Sequence, residues 1–553
     1  MLKVREHFPY TDKPDAHEID CLKALSCPGE TITLSFSLES DDDIPELEIS
    51  ASSLSGNGGT FGVGSIEVYV VHVWDQAGIG VYQSARAAVR ELLLKDDRVS
   101  LTDRYTRQYR NWRHFFKPSY VYNGPDIRLT GSVRTSLQQN LPKQIWLSIK
   151  APQYCEPGIY RGVIKIAEAN SNGNNASADT PKTLELPLEI EVAPVQLREP
   201  MQERMLWYRG KLDWRDSQHY VSEDIFRTQL RDIFDHGFTS ISISETDRDL
   251  AQKAIEIIED IGFNRYVVFR PPFPSEPHRL KHKSVTPILY LSDEIDIHLA
   301  HPQENANDVI AHHKINWQRA ASWKMKSMIS LASHSFAKRL FDGNDIGHAP
   351  DIVSYYIANN REFVHLNANL KRANAADTYY YWQAYMEKPN LHRALAGVYL
   401  WKSGFAGISP YCYQHMPVYP NSPYNDFDEW EPTFQVGAVR KPFKDHMLTY
   451  PSANGSIPTV QWEACRDGIA DLRILVTLES AIATARNCGA DHSELTRSIE
   501  QRRDEFLKQI NLKLINVNSE TDPEPYNEIS ARNYQTFRDD NLRDIVRLQQ
   551  LIN

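Results

Sequence analysis

The stretch Pro287-Ile-Leu-Tyr-Leu-Ser-Asp-Glu-Ile-Asp296 decides how the fold of this chain is interpreted. A short run of apolar, β-forming residues ends in two adjacent carboxylates, Asp293 and Glu294, which predicts a buried strand that presents an acidic pair at its C-terminal end. Burying a carboxylate is costly unless the group is paired or neutralised. The pair is therefore the leading candidate for the chemistry, although strand ends also carry Asp as a turn former or as the cap of the next helix.

Composition limits the classes of protein to consider. At 553 residues the chain is too long for one ordinary core, and a prior of roughly 150 residues per domain predicts several units. The hydrophobic share of 41% is typical of a globular protein, and no apolar run approaches the roughly 18 residues that cross a membrane. A net charge of −11 without a basic tract argues against nucleic acid and anionic lipid as partners, so we expect a neutral ligand.

Aromatic and cysteine residues refine this expectation. The 27 Tyr and 11 Trp residues exceed what a core needs, and their flat faces with hydrogen-bonding tips suit sugar rings. The six cysteines are widely scattered, without zinc-ligand or disulfide-framework spacing, so we expect mostly free thiols and no metal. We also expect no cofactor. The N-terminus lacks the apolar core of a secretory signal, which predicts a cytoplasmic protein, or a secreted or periplasmic one if a signal was removed.

Residues 1–199 have the pattern of an all-β domain. Short runs alternate between apolar and polar residues, as in Ile66-Glu-Val-Tyr-Val-Val-His-Val and Leu184-Glu-Leu-Pro-Leu-Glu-Ile-Glu-Val, and polar or glycine-rich breaks separate them. Two packed sheets explain this pattern better than a barrel does. We therefore predict an N-terminal β-sandwich.

Residues 200–488 alternate between strand and helix patterns. The strand candidates begin near Met205, Ser240, Tyr266, Pro287, Met328, Ile352, Thr378 and Gly407. Alternating β and α units imply a parallel sheet, and eight of them favour a (β/α)8 TIM-like barrel. Residues 489–553 continue as two charged helices, a C-terminal helical extension without a catalytic pattern.

Barrel enzymes carry their active sites at the C-terminal ends of the strands. Besides the acidic pair, the residues predicted at these ends are Glu245, Tyr356, Trp382, Tyr411 and Tyr413, and Tyr380 is a further candidate from the same strand as Trp382. We interpret them as candidate substrate-binding residues, with Trp382 as a stacking platform for a sugar, while plain packing within the barrel fold is the competing interpretation.

A long amphipathic helix is predicted over residues 459–487. It contains Arg466-Asp-Gly-Ile-Ala-Asp-Leu-Arg, and charges at this spacing usually form a solvated or salt-bridged face. We favour a structural role for this motif over a catalytic one.

Several motifs together resemble glycoside hydrolase family 123 and the related proteins with the domain of unknown function 4091. They are Tyr290-Leu-Ser-Asp-Glu, Tyr380-Tyr-Trp running into Arg393 and Trp401-Lys-Ser-Gly-Phe-Ala-Gly-Ile, and Leu448-Thr-Tyr-Pro-Ser through Trp462-Glu-Ala-Cys-Arg-Asp-Gly-Ile-Ala-Asp. The resemblance covers nearly the whole chain. Ile295 stands where relatives often have proline, and Ile-Ala-Asp replaces the more usual Ile-Glu-Asp, but neither change removes a carboxylate of the acidic pair.

The resemblance implies a retaining β-N-acetylgalactosaminidase that uses substrate-assisted catalysis. Glu294 would protonate the leaving oxygen, while Asp293 would orient the 2-acetamido group of the substrate as it closes an oxazoline. Apart from the resemblance, we expect one of the strand-end tyrosines Tyr380, Tyr411 and Tyr413 to donate a hydrogen bond to the acetamido oxygen. The spacing agrees independently, because an enzyme nucleophile and its acid usually come from different strands, about 5 Å apart across the scissile bond, whereas neighbours on one strand end approach the sugar from one side. A negative charge on Asp293 would also keep the proton on Glu294 near neutral pH.

Two alternatives remain open from the sequence. The first is a glycosidase of another specificity with an ordinary carboxylate nucleophile, for which Glu245 is the best candidate. The second is a non-catalytic protein that binds glycans. The partner expected in each case is a glycan or glycoconjugate, with a terminal N-acetylhexosamine in the preferred interpretation, and the oligomeric state stays open.

Overall fold

A computed structural model of the chain describes residues 2–56, 58–77, 86–97, 132–169, 183–215, 219–269, 280–295, 315–332, 350–357, 367, 376–383, 388–415, 433–436, 439–442, 446–452, 455–488, 493–510 and 529–552. No helix within these ranges is both long enough and apolar enough to cross a membrane.

Two β-sheets dominate the N-terminal part. Their strands are, in chain order, β1 (Leu2–Glu6), β2 (Leu22–Ser26), β3 (Thr31–Ser40), β4 (Ile44–Ala51), β5 (Leu54–Gly56), β6 (Gly59–Phe61), β7 (Ile66–Ala77), β8 (Arg86–Leu94), β9 (Ser132–Leu137), β10 (Lys143–Lys150), β11 (Gly158–Glu168) and β12 (Thr183–Val192). The first sheet has the strand order β1-β3-β10-β7-β8. The second has the order β2-β12-β11-β4-β9, with β5 added beside β11 and β6 beside β5.

Residues from both sheets meet in one buried hydrophobic cluster. Phe36 and Ile145 of the first sheet and Ile49 and Ile166 of the second are all members of it and fully buried. The alternation predicted for β12 is observed, since every second residue from Leu186 onwards is buried. The β-rich architecture is thus present, and the classification as a sandwich, like the domain limits at residues 199 and 488, stays a prediction.

A closed barrel of eight parallel strands follows. Its strands are β13 (Glu203–Leu206), β14 (Ser240–Ile243), β15 (Arg265–Phe269), β16 (Thr286–Ser292), β17 (Lys326–Leu331), β18 (Ile352–Tyr356), β19 (Asp377–Tyr381) and β20 (Gly407–Ile408). They are paired in chain order, and β20 closes the ring by pairing with β13. Each strand overlaps one of the eight strand candidates of the sequence, so the barrel prediction is confirmed.

Local signals explain the first two helices around the barrel, α1 (Glu223–Asp235) and α2 (Arg248–Ile261). The side chains of Ser222 and Asp247 accept hydrogen bonds from the first-turn N–H groups of α1 and α2, respectively. Helix α2 ends at Gly262, whose φ of 109° lies in the left-handed region that glycine tolerates.

The remaining elements are α3 (Pro389–Ala396), α4 (Val398–Ser403), β21 (Thr433–Val436), β22 (Val439–Pro442), β23 (Thr449–Ser452), β24 (Gly455–Pro458), α5 (Val460–Asn487), α6 (Ser493–Lys508) and α7 (Ala531–Ile552). The helix predicted over residues 459–487 is α5, and the two helices predicted for the C-terminal extension are α6 and α7.

Helix α5 lies between the barrel and the first sheet. The prediction of an amphipathic helix is wrong for its first ten residues, Val460–Ile469, which are all buried. On one side Trp462 stacks on Phe238 with ring centroids 5.5 Å apart, and on the other Val460 and Ala464 pack against Trp146 of β10. A helix covered on two faces needs no polar stripe in that region.

The charged motif of α5 joins these parts of the molecule. Arg393 of α3 donates two hydrogen bonds to Asp471, at 2.7 and 2.9 Å. Asp467 accepts hydrogen bonds from Tyr10 at 2.7 Å and from Thr33 at 3.2 Å, both in the N-terminal part. Each of these side chains is largely buried, so the motif has the structural role favoured from the sequence.

Candidate active site at the mouth of the barrel

The two faces of the barrel strands contribute to different clusters. Ile288 and Tyr290 of β16 pack with Trp207, Met328 and Tyr379, which all come from barrel strands or their ends, so this cluster is the barrel interior. The intervening residue, Leu289, belongs to the larger cluster between the strands and the surrounding helices. Alternate residues along a strand therefore face either the interior or the helices.

The acidic pair lies immediately after β16, at its C-terminal end. The pairing of β16 with β17 shifts between Tyr290 and Ser292, an irregularity that interrupts the alternation just before the pair. Asp293 and Glu294 are half-buried. The backbone of Glu294 has a φ of 42°, in the left-handed region, which costs a residue other than glycine about 1–2 kcal/mol.

Two hydroxyl groups contact Oδ1 of Asp293. Its Oδ1 accepts a hydrogen bond from the hydroxyl of Tyr290 at 2.8 Å and lies 3.2 Å from the hydroxyl of Ser330 on β17. Burial, and then the charge of Asp293, raise the pKa of Tyr290 well above its usual value, so this phenol stays a donor. These contacts fix the orientation of the Asp293 side chain.

Glu294 is held by a different tyrosine. The hydroxyl of Tyr381, at the end of β19, donates a hydrogen bond to Oε1 of Glu294. Burial, followed by the charge of Glu294, raises the pKa of Tyr381 well above its usual value. The ring of Tyr381 packs against that of Tyr356 at a centroid distance of 5.2 Å. Tyr356, a residue predicted for the site, is thus brought next to the acidic pair through Tyr381.

Tyr411 also lies on the interior side. It packs against the interior cluster that contains Tyr290 and Trp207, and its ring lies 5.4 Å from that of His446. Trp207 in turn meets the ring of Tyr290 edge-on at 4.7 Å. Tyr411 therefore lies on the interior side of the barrel, and its role in binding substrate stays a prediction.

Three other predicted binding residues face away from the barrel interior. Trp382 is fully buried and its indole N–H lies 3.2 Å from Nδ1 of His392 on α3. Tyr380 donates to the backbone oxygen of Leu395, and Tyr413 donates to Asp232 of α1 at 2.8 Å. All three belong to the cluster between strands and helices. The prediction that they bind the sugar is corrected here, because their side chains pack against helices, which is the competing interpretation for Trp382.

Glu245 follows β14 and holds a loop. Its Oε1 accepts a hydrogen bond from the backbone N–H of Leu212, in the loop after β13, at 2.5 Å. The side chain is only 2% exposed, and burial raises its pKa to about 7 in spite of that hydrogen bond. Within the described part of the chain, Oε2 of Glu245 has no hydrogen-bond partner. A carboxyl with this pKa is partly neutral at pH 7, which makes it a weak nucleophile.

Tyr290, Ser330 and Tyr381 were not singled out from the sequence as site residues. The alternation along β19 contains part of the signal, since Tyr379 and Tyr381 share one face and Tyr380 and Trp382 the other. Only the closed barrel shows which of these two faces points to the interior. Ser330 lies 37 positions beyond Asp293 in the chain, and nothing in the local sequence marks it as a partner.

Comparisons with known proteins agree with this architecture. The structure of a family 123 glycoside hydrolase from Clostridium perfringens, solved to study glycolipid glycan hydrolysis, superposes with a TM-score of 0.59 over 99% of this chain and 100% of that one. The chain has the fold of this family 123 glycoside hydrolase. The two sequences are 13% identical, so the likeness concerns the fold.

A second solved structure matches less well. Dihydrodipicolinate synthase from Bacillus clausii, at 10% identity, matches with a TM-score of 0.26 over 63% of this chain and 96% of that one. No family model matches the sequence, and neither does any curated protein. The likeness to the family 123 fold therefore rests on the arrangement of the whole chain, including the barrel that carries Asp293 and Glu294.

Proposed function

We propose that the protein is a glycoside hydrolase, a retaining exo-β-N-acetylhexosaminidase that removes β-linked N-acetylgalactosamine by substrate-assisted catalysis. The observation that carries this proposal is the acidic pair itself. Asp293 and Glu294 are neighbours on one strand end, and each has one carboxylate oxygen held by its own tyrosine. The family 123 fold supports the same conclusion.

The mechanism assigns separate roles to the two carboxyl groups. Glu294 gives its proton to the glycosidic oxygen, and the bond between that oxygen and the anomeric carbon breaks. The carbonyl oxygen of the substrate's 2-acetamido group forms the new bond to the anomeric carbon, which closes an oxazolinium ring. Asp293, whose Oδ1 is contacted by the hydroxyl groups of Tyr290 and Ser330, accepts the N–H of the acetamido group and stabilises the positive charge that develops there.

The second step restores the enzyme. Glu294, now a carboxylate, removes a proton from water, whose oxygen attacks the anomeric carbon and opens the ring. The two displacements together retain the configuration at that carbon. The sugar leaves with its acetamido group intact, and Glu294 has regained its proton.

A scheme with Glu245 as nucleophile is less favoured. Its carboxyl has a pKa of about 7 and its Oε1 accepts the N–H of Leu212, whereas a nucleophile needs a charged carboxylate that can reach the anomeric carbon. In the substrate-assisted mechanism, by contrast, Asp293 and Glu294 need no third carboxylate, because the acetamido group of the substrate is the nucleophile.

A panel of chromogenic glycosides tests the proposal. We expect turnover of aryl β-glycosides that carry a 2-acetamido group and none of the matched sugars with a 2-hydroxyl group. Equal turnover of both sets would contradict the substrate-assisted mechanism. Binding measured by calorimetry without turnover of any member would instead indicate a glycan-binding protein.

Variants of the proposed acid complete this test. Glu294→Gln should lower turnover by several orders of magnitude on substrates with poor leaving groups and much less on activated aryl glycosides, which need little protonation. Equal losses on both kinds of substrate would remove the assignment of Glu294 as the acid.

A further inference from the structure

The hydrogen bond between Tyr381 and Glu294 spans part of the barrel mouth. Tyr381 ends β19, and the strands β17 and β18 separate it from β16, which precedes Glu294. The side chain of Tyr381 is buried, with 6% of the residue exposed, and its hydroxyl donates to Oε1. The contact therefore depends on barrel closure and not on the local sequence.

This contact distinguishes the two oxygens of Glu294. A carboxyl group that serves as a general acid carries its proton on one oxygen only, and that oxygen has to face the leaving group. Oε1 accepts the hydrogen bond of Tyr381, so it acts as an acceptor. A phenol that donates to Oε1 favours the arrangement in which the transferable proton is on Oε2.

The contact also acts after proton transfer. When Glu294 has given up its proton, its negative charge is stabilised by the phenol, because a hydrogen bond to the charged form of an acid favours that form. The phenol of Tyr381 therefore contacts the form of Glu294 that proton transfer produces.

We propose that Tyr381 is the positioning residue of the general acid: it places the proton of Glu294 on Oε2 and stabilises the carboxylate that forms when the leaving group is protonated. This inference rests on the proposed function, and it adds a residue that the acidic pair alone does not imply. Tyr381 acts through Glu294 and is not itself a catalytic residue.

Neighbouring tyrosines supply the comparison that the test needs. Tyr379 lies on the same strand and in the barrel interior, but its hydroxyl accepts a hydrogen bond from Arg265 at 3.1 Å. Arg265 begins β15 and also pairs with Glu203, so this contact lies at the opposite, N-terminal end of the barrel. Tyr379→Phe therefore removes the same atom from the same strand without touching the acidic pair.

The experiment compares Tyr381→Phe, Tyr379→Phe and the wild type across a series of aryl N-acetylgalactosaminides and across pH. In Tyr381→Phe the alkaline limb of the pH profile of kcat/KM should move to higher pH, since the acid has lost a donor to its charged form. Turnover of substrates with poor leaving groups should fall by about ten- to a hundredfold, the range expected for one hydrogen bond to a charged group, and activated substrates should be affected much less. Tyr379→Phe should keep the wild-type profile and leaving-group dependence.

An unchanged pH profile, or an equal loss on all leaving groups, would overturn the proposal and leave Tyr381 a packing residue. A fluorotyrosine at position 381 keeps the ring in place if Tyr381→Phe does not fold. Its phenol is more acidic and therefore a stronger hydrogen-bond donor, so the alkaline limb of the pH profile of kcat/KM should move to lower pH. An alkaline limb that stays at the wild-type pH would also contradict the proposal.

Failure of this inference is distinguishable from failure of the proposed function. If Glu294→Gln loses activity on poor leaving groups while Tyr381→Phe behaves as wild type, only the role of Tyr381 is wrong. If Glu294→Gln keeps wild-type activity on those substrates, Glu294 is not the acid and the proposed function fails with it.

Discussion

The hydroxyl of Ser330 accepts a hydrogen bond from the backbone N–H of Glu294 over 3.0 Å. The same hydroxyl lies 3.2 Å from Oδ1 of Asp293 and can donate to it. One side chain on β17 therefore contacts both members of the acidic pair. This hydroxyl also fixes the backbone of Glu294, whose φ of 42° is unfavourable for any residue other than glycine.

Replacing this hydroxyl should affect catalysis more than folding. In Ser330→Ala, Asp293 loses a donor and the N–H of Glu294 loses its acceptor, so we expect kcat to fall by roughly ten- to a hundredfold. The matched control is Ser354→Ala on the next strand, where the lost partner is the hydroxyl of Ser409 at 2.7 Å. Steady-state kinetics of both variants check this, and equal losses would mean that Ser330 only contributes packing.

Asp293→Asn tests the contact with the acetamido group. The substitution keeps the shape of the side chain and removes its charge, so kcat should fall by about ten- to a hundredfold or more with a smaller change in KM. A thiazoline inhibitor resembles the cyclised intermediate and should bind the wild type tightly and the variant much more weakly. Equal thiazoline affinity for both proteins would show that Asp293 does not touch the acetamido group.

The close crossing of α5 and α3 leaves no room for a side chain at Gly468. A Cβ there would lie 2.2 Å from the backbone oxygen of Arg393 and 3.1 Å from Cβ of Ala396. Gly468→Ala should therefore destabilise the protein by about 1–3 kcal/mol, measured by denaturant unfolding. Gly64→Ala is the control, because its Cβ would meet no atom within 4 Å. An unchanged unfolding midpoint for Gly468→Ala would contradict this packing.

The buried pair formed by Glu463 and Arg466 should make stability depend on pH. Burial by itself would raise the pKa of Glu463, but the charges of Arg466 and His236 outweigh it and hold the pKa at about 2. Because the folded value lies below the ordinary one of 4.5, this group stabilises the fold above pH 4.5, and the contribution is lost as the pH falls towards 2.

Glu463→Gln separates this effect from general acid unfolding. The variant leaves Arg466 without its carboxylate partner, so it should be less stable than the wild type at pH 6, by about 3–5 kcal/mol for a broken buried pair. The difference in the free energy of unfolding between the two proteins should become smaller from pH 5 to pH 3, as measured by denaturant unfolding at each pH. A difference that stays constant over this range would contradict the low pKa.

The position of the acidic pair could be predicted from the sequence because the signal is local. An apolar run of strand length that ends at Ser292 is followed at once by Asp293 and Glu294, and the barrel strands recur at the predicted places. The partners of the pair could not be predicted in this way. Tyr381 is 87 positions from Glu294 along the chain, and Ser330 is 36 positions from it.

The aromatic residues of β19 show where local pattern stops being sufficient. Their alternation separates Tyr379 and Tyr381 from Tyr380 and Trp382, but a period of two does not say which set faces the interior. The sequence favoured Trp382 and Tyr380 as binding residues, and the structure buries both against helices instead. A shift of one residue in strand register would have exchanged the two sets.

The sequence by itself determined the order of strands and helices, the β-rich N-terminal part, and the strand end that carries Asp293 and Glu294, because hydrophobic periodicity and adjacent carboxylates are properties of neighbouring residues. Only the tertiary structure decided the barrel register, the left-handed backbone at Glu294, the hydroxyl groups that hold the pair, and the burial of α5 on two faces. These features arise when distant strands close into a ring and a helix is enclosed between two layers, so they depend on contacts that no local pattern contains.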